Sequence, residues 1–136
     1  MPATLLDAVE AYWTTAGLAS SVGITYRDRA PVKFALPHVL LSLPRSSLAR
    51  LFDGGDSQVD DYRLRLRVRA TTAAEARRLA DLVEAAYRGR SFAWDAGATS
   101  AAVRLGRASG AEKLQATGGE QLFFDEPEFQ LLATGG

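Results

Sequence analysis

The chain has no cysteine, which excludes a disulfide framework, a thiolate nucleophile and any cysteine-held zinc or iron–sulfur site. This fits a reducing compartment. It has a single histidine, His38. With no second histidine or cysteine to accompany or orient it, His38 is read as structural rather than as a general base or metal ligand. No apolar run approaches the ~18 residues needed to cross a bilayer. The opening MPATLLDAVEAYW carries two acids and no early basic cluster, so the expectation is a soluble, unexported protein with no membrane partner. The formal net charge is zero, which removes any global attraction to nucleic acid and leaves only local electrostatics. Lysine is scarce as well: fourteen of the sixteen basic residues are arginine. Coding bias explains that preference, although guanidinium also suits interfaces better than ammonium.

Site motifs are missing too. The pairs Gly54-Gly55, Gly118-Gly119 and Gly135-Gly136 do not lie between a strand and a helix, as a phosphate-binding loop requires. The acidic groups Asp60-Asp61 and Asp125, Glu126, Glu128 lack the spacing of a calcium loop. No nucleophile is matched with a base. The expectation is therefore no enzyme activity, no catalytic residue, no metal and no cofactor.

What is present is concentrated between residues 60 and 88. Tyr62, Leu64, Leu66 and Val68 alternate with Arg63, Arg65, Arg67 and Arg69, the period-two signature of a strand with one face in a core and one face polar. Thr72 with Glu75 three residues on is a capping box. Ala76, Leu79, Ala80, Val83, Ala86 and Tyr87 follow at helical spacing up to Gly89. At the N-terminus, Thr4 caps a helix over about 5 to 16 with an inner face of Leu5, Leu6, Val9, Trp13 and Ala16, and Gly17-Leu18 ends it. Strands are expected within 24–29 and 34–43, the second starting near Pro37. Residues 44–57 read as a turn-rich excursion between two paired strands, with Leu48, Leu51 and Phe52 suited to a short helical turn. Residues 96–119, rich in Gly, Ala, Ser and Thr, read as a weakly specified loop, mobile or interfacial, with a short apolar piece at 102–105. In 120–133, Leu122, Phe123, Phe124, Phe129, Leu131 and Leu132 make one or two strands interrupted at Pro127. The fold class that results is α+β: one small domain over 1–136, ordered helix, strand, strand, helix, strands, with a mixed or antiparallel sheet and two helices on one face.

Charge is unevenly spread along this order. Residues 60–90 hold eight arginines against five acids, and residues 112–136 hold five acids against Lys113. The two segments can pair within one subunit or between two. The arginine stripe thus has three readings: a solvated or internally paired face, a nucleic-acid surface, and a subunit interface. The interface reading assigns Arg63, Arg65, Arg67 and Arg69 to one patch and Glu120, Asp125, Glu126 and Glu128 to its complement.

The element order, the run Phe34-Ala-Leu-Pro-His-Val-Leu-Leu-Ser42 and the later unit of strand, Ala70-Thr-Thr-Ala-Ala-Glu-Ala76 and helix resemble the tail completion or tail terminator proteins of long-tailed bacteriophages, from about Leu5 to Leu132. The resemblance implies a virion protein, assembled in the host cytoplasm, whose copies form a ring, commonly a hexamer. Its partners would be the tail tube protein and the head–tail connector, and DNA would pass the lumen without specific binding. A head-side neck or connector protein, or a minor tail protein of the same fold, would share the pattern. At His38 the chain departs from the aromatic residue that the family pattern carries after the proline.

Overall fold

The Thr4 hydroxyl accepts a hydrogen bond from the Asp7 amide at 3.1 Å, starting α1 (Leu5–Thr15) with Leu5, Ala8, Val9 and Trp13 on its buried face. Gly17 stops it at φ 75°, a left-handed conformation that costs glycine nothing. Leu18 then opens the short α2 (Leu18–Ser21). These elements come from a computed structural model that describes residues 1–31, 34–46, 59–114 and 120–135. The expected turn-rich excursion, with Leu48, Leu51 and Phe52, falls for the most part outside the described residues, as does the segment 115–119.

The strands are β1 (Ile24–Arg27), β2 (His38–Ser42), β3 (Arg45–Ser46), β4 (Val59–Ala70), β5 (Ala93–Trp94), β6 (Gly97–Thr99), β7 (Val103–Leu114) and β8 (Glu120–Gly135), with α3 (Ala73–Tyr87) between β4 and β5. They form one mixed sheet. β1 pairs parallel with β2, and the other ladders are antiparallel. The main path runs β1-β2-β4-β8-β6-β5, with β3 beside β4 and β7 beside β8. The α+β expectation therefore holds, with a sheet-dominated layout and a third helical piece, α2, in place of a simple two-helix face.

The period-two pattern of β4 does what it predicts. Leu64, Leu66, Val68 and Ala70 are fully buried, and the first three join Val39 and Leu41 of β2, Phe129, Leu131 and Ala133 of β8, and Leu79, Ala80, Val83 and Tyr87 of α3 in one core. Aromatic residues tie α1 to α3. The Tyr87 hydroxyl donates to Val9 O at 2.8 Å, and the Tyr12 hydroxyl to Ala86 O at 2.9 Å. The rings of Tyr12 and Tyr87 meet edge to face at 5.1 Å, so buried polar tips are satisfied where the rings pack.

Two expectations are corrected. β8 runs unbroken through Pro127. Its ladder with β4 lapses only at the steps opposite Leu66 and Arg67, while the pairing of Arg107 with Pro127 on the other side is kept. That is the pattern of one missing amide donor aimed at β4; neighbouring bonds on both sides carry the strand across it. The expected loop at 96–119 instead contains β6 and all of β7. Small side chains with little propensity of their own are recruited by the backbone of β8, a tertiary effect that local composition does not report. Gly97 shows why small residues suit this region, because a Cβ there would collide with the Thr134 carbonyl and the Trp94 ring.

The two faces of β8 make a sharp test. Phe129→Ala should cost about 3–5 kcal/mol by emptying a fully buried site. Phe124→Ala, on the opposite face, should cost about 1 kcal/mol, mainly through its contact with a guanidinium. Chemical denaturation of both variants reads the difference, and equal losses would refute the face assignment.

Candidate functional site

The polar face of the central sheet is built from alternate positions of β4 and β8. Opposite the buried Leu64 and Val68, Arg63, Arg65, Arg67 and Arg69 point away from the helices, and antiparallel register brings Arg65 beside Glu128. Arg65 Nε donates to Glu128 Oε2 at 2.7 Å. Arg67 Nε donates to Glu126 Oε1 at 3.2 Å, and its Nη1 to Glu112. The Arg67 guanidinium also lies 4.0 Å from the centre of the Phe124 ring. Arg69 Nη2 sits 2.7 Å from Glu112 Oε2, an ion pair by distance in which the hydrogen-bond alignment is poor. Arg63 Nη2 donates to Asp61 Oδ2 at 3.1 Å, and Gln130 donates to the same oxygen at 2.9 Å.

Each of the four arginines therefore has a carboxylate of its own chain, and the face is balanced by Asp61, Glu112, Glu126 and Glu128. Among the described residues this leaves no bare cationic stripe of the kind that phosphate backbones recruit. Cross-strand neighbours on one face interact by geometry alone, which is why the basic segment and the acidic segment find each other inside one subunit. Exposed pairs of this kind are worth at most about 1 kcal/mol each. The end at Arg69 and Glu112 is different, with side chains only 13% and 17% exposed.

The acids assigned together by sequence separate in space. Glu126 and Glu128 lie on the arginine face. Asp125 lies on the helix face, where it is buried and accepts two bonds from Arg107, at 2.7 and 3.0 Å. Arg107 continues to Asp81 Oδ1 at 2.6 Å and to Arg77 O at 3.0 Å, clamping β7 to α3. Arg104 does the same to Glu84 at 2.5 Å. The side chain of Glu120 lies outside the described residues; its backbone pairs with Leu114 at the start of β8. Glu112, Arg104 and Arg107 were not legible as functional residues, because they belong to the segment read as a loop. Among the described residues no three metal-ligating side chains come together.

His38 is buried at the end of this face, opposite Arg69 in the β2–β4 ladder. Its Nδ1–H donates to Ala35 O at 3.1 Å, which assigns the lone pair to Nε2, an atom with no partner among the described residues. The ring sits between Tyr26 and Phe34, with centroids 5.4 and 4.8 Å away, both edge to face. Burial holds its pKa below the usual histidine value; the Arg69 charge pushes the same way, and the Ala35 bond and Glu112 oppose. The site is a packing position that asks for an aromatic ring and tolerates a neutral imidazole.

Two outcomes are expected. Glu112→Gln removes the carboxylate shared by Arg67 and Arg69 and should lower stability by about 2 kcal/mol, between the limits for exposed and buried pairs; a loss under ~0.5 kcal/mol, the scale of ordinary surface changes, would refute its bridging role. For His38 the sign follows from linkage. A folded-state pKa below 6.5 means that the unfolded chain binds more protons between the two values, so the contribution is complete above 6.5 and is lost as pH falls through the folded value. Wild type should therefore lose thermal stability relative to His38→Phe as pH is lowered below 6.5, and parallel pH profiles would overturn the assignment.

Comparison with known proteins agrees with this architecture. The family model described as "Tail completion protein gp17" matches residues 9–117. No curated protein matches the chain. A chain in the solved structure titled "Virion of native gene transfer agent (GTA) particle" has the same fold, with a TM-score of 0.64 at 18% identity over 96% of this chain and 95% of that one. The family match identifies what kind of molecule carries this paired sheet: the chain belongs to the tail completion protein gp17 family and is a structural component of the phage tail and virion.

Proposed function

We propose that copies of this chain form a closed ring, a hexamer in the reading the resemblance implies, that ends the tail tube and joins it to the head. The observation that carries the proposal is the family match over residues 9–117. In this role the whole chain, residues 1–136, acts as one terminator domain. Its partners are further copies of itself, the tail tube protein and the head–tail connector, and the mechanism is geometric rather than catalytic.

The internally paired face supports the expectation that DNA passes without specific binding. Guanidiniums already held by Glu112, Glu126 and Glu128 have little free charge to offer phosphates. As a subunit surface, Arg63, Arg65, Arg67 and Arg69 with Glu126 and Glu128 form a pre-paired patch. Exchange of partners with a neighbouring copy would cost little, because exposed pairs are individually weak. Asp125, committed to Arg107, supports that surface from behind.

Light scattering after size exclusion across concentration tests the ring. A species of about six chain masses, formed alone or on adding tail tube protein, is the expected result. A monomer under both conditions at every concentration would overturn it.

A further inference from the structure

We propose that neighbouring copies join edge to edge, with β7 of one subunit pairing antiparallel with β1 of the next, so that the sheet runs on across the contact. The inference rests on the ring reading and adds the surface that closes it.

Three observations carry it. The first is strand polarity. β1 is parallel to β2, and each ladder from β2 through β4 and β8 to β7 is antiparallel. β1 and β7 therefore run in opposite directions at opposite margins of the five-strand path. Two copies set side by side in one orientation place β7 against β1 with the polarity of an antiparallel pair, and the contact is heterologous, as a ring requires.

The second is the state of the two margins. Among the described residues β7 pairs only with β8, and β1 only with β2. β7 is twelve residues long, and natural proteins usually blunt edges of that length. Its one irregularity lies between Arg104 and Gly106, leaving the rest regular and lined by the small Gly106, Ala108, Ser109, Gly110 and Ala111. Val103 and Leu105 are exposed at this margin, and Ile24 is 54% exposed at the other. The lapse at Pro127 fixes the phase of the hydrogen bonds. Pro127 faces β4, so Arg107, opposite it, turns its own amide outward, as do Ser109 and Ala111. On β1, the bond from Asp28 N to Leu41 O turns the even positions toward β2 and leaves Thr25 facing out.

The third is what stands beside each edge on the helix face. Next to β7 is a cleft of about 790 Å³ bounded by α3, with Arg77, Arg104 and Arg107 in its lining. Next to β1 is α1, whose Asp7 and Glu10 share the single Arg27, at 2.8 Å each. Asp81 and Asp125 also line the cleft and hold Arg107, and Glu84 holds Arg104. Arg77 is thus the cleft arginine without a carboxylate partner among the described residues, and it matches the one acid of α1 in excess over Arg27. The occupant the geometry selects is therefore a second copy of this chain, entering with α1 and β1.

The absence of cysteine makes the test clean. Thr25→Cys and Ser109→Cys both lie on the helix face, at positions whose amides point outward. A short bis-maleimide applied to an equimolar mixture of the two single variants, or to the double variant, should yield cross-linked dimers and a ladder of higher species. Each single variant alone should yield only background. Ser109→Pro, which removes an outward donor without touching the β7–β8 ladder, should reduce assembly at least tenfold while circular dichroism and thermal stability stay close to wild type. Efficient cross-linking of Ser109→Cys to itself would overturn the proposal in favour of two-fold pairing. A ring of wild-type mass without cross-links in the double variant, or unimpaired assembly of Ser109→Pro, would overturn the edge contact and leave the ring standing. A wild-type chain that remains monomeric with tail tube protein would overturn both.

Discussion

The antiparallel ladder between β4 and β8 is the constraint from which the rest of the molecule follows. It joins residues far apart in sequence, from Val59 with Thr134 to Ala70 with Phe123. In doing so it sets a two-sided surface. On one side Leu64, Leu66, Val68, Phe129 and Leu131 must be covered, and α1 and α3 cover them. On the other, arginine and glutamate alternate in register and neutralise one another. A slip of one residue would put the arginines into the core and the leucines into water, so the apolar pattern alone holds the register with great force.

The same ladder explains why a segment poor in structural preference becomes regular. β7 has exposed side chains along most of its length and gains little from burial. It is held by the backbone of β8 and by three charged clamps: Arg104 and Arg107 to α3, and Glu112 to Arg67 and Arg69. Two of these clamps lie on the helix face and the third on the arginine face, so the strand is pinned from both sides. A strand held in this way keeps its outer edge regular beyond the irregularity between Arg104 and Gly106, the form in which an edge can receive another strand.

For a protein that acts by shape, this division of labour is informative. In the proposed ring, the apolar face provides a rigid body, the paired polar face a surface with no bare cationic stripe among the described residues, and the two margins the places at which copies would meet. Ring assembly asks for nothing else: a defined edge on each side and a fixed angle between them. The lone histidine fits the same picture, as one ring within an aromatic packing site.

Residue pattern by itself determined α1, the strand–helix unit of β4 and α3, and the split of β4 into an apolar and an arginine face. These rest on signals local in sequence: caps, glycine stops and periodicity, which act within a few residues of where they are read. The family resemblance and the charge asymmetry of the two segments were legible for the same reason. Only the tertiary structure decided that arginine meets glutamate within one chain, that Asp125 turns to Arg107, that Pro127 is crossed rather than obeyed, and that Glu112 lies on a strand. Each of those outcomes depends on a partner brought from beyond the local window, 18 positions away for Asp125 and Arg107 and 63 for Arg65 and Glu128, and the free energy that settles it belongs to the ladder between strands rather than to either strand alone.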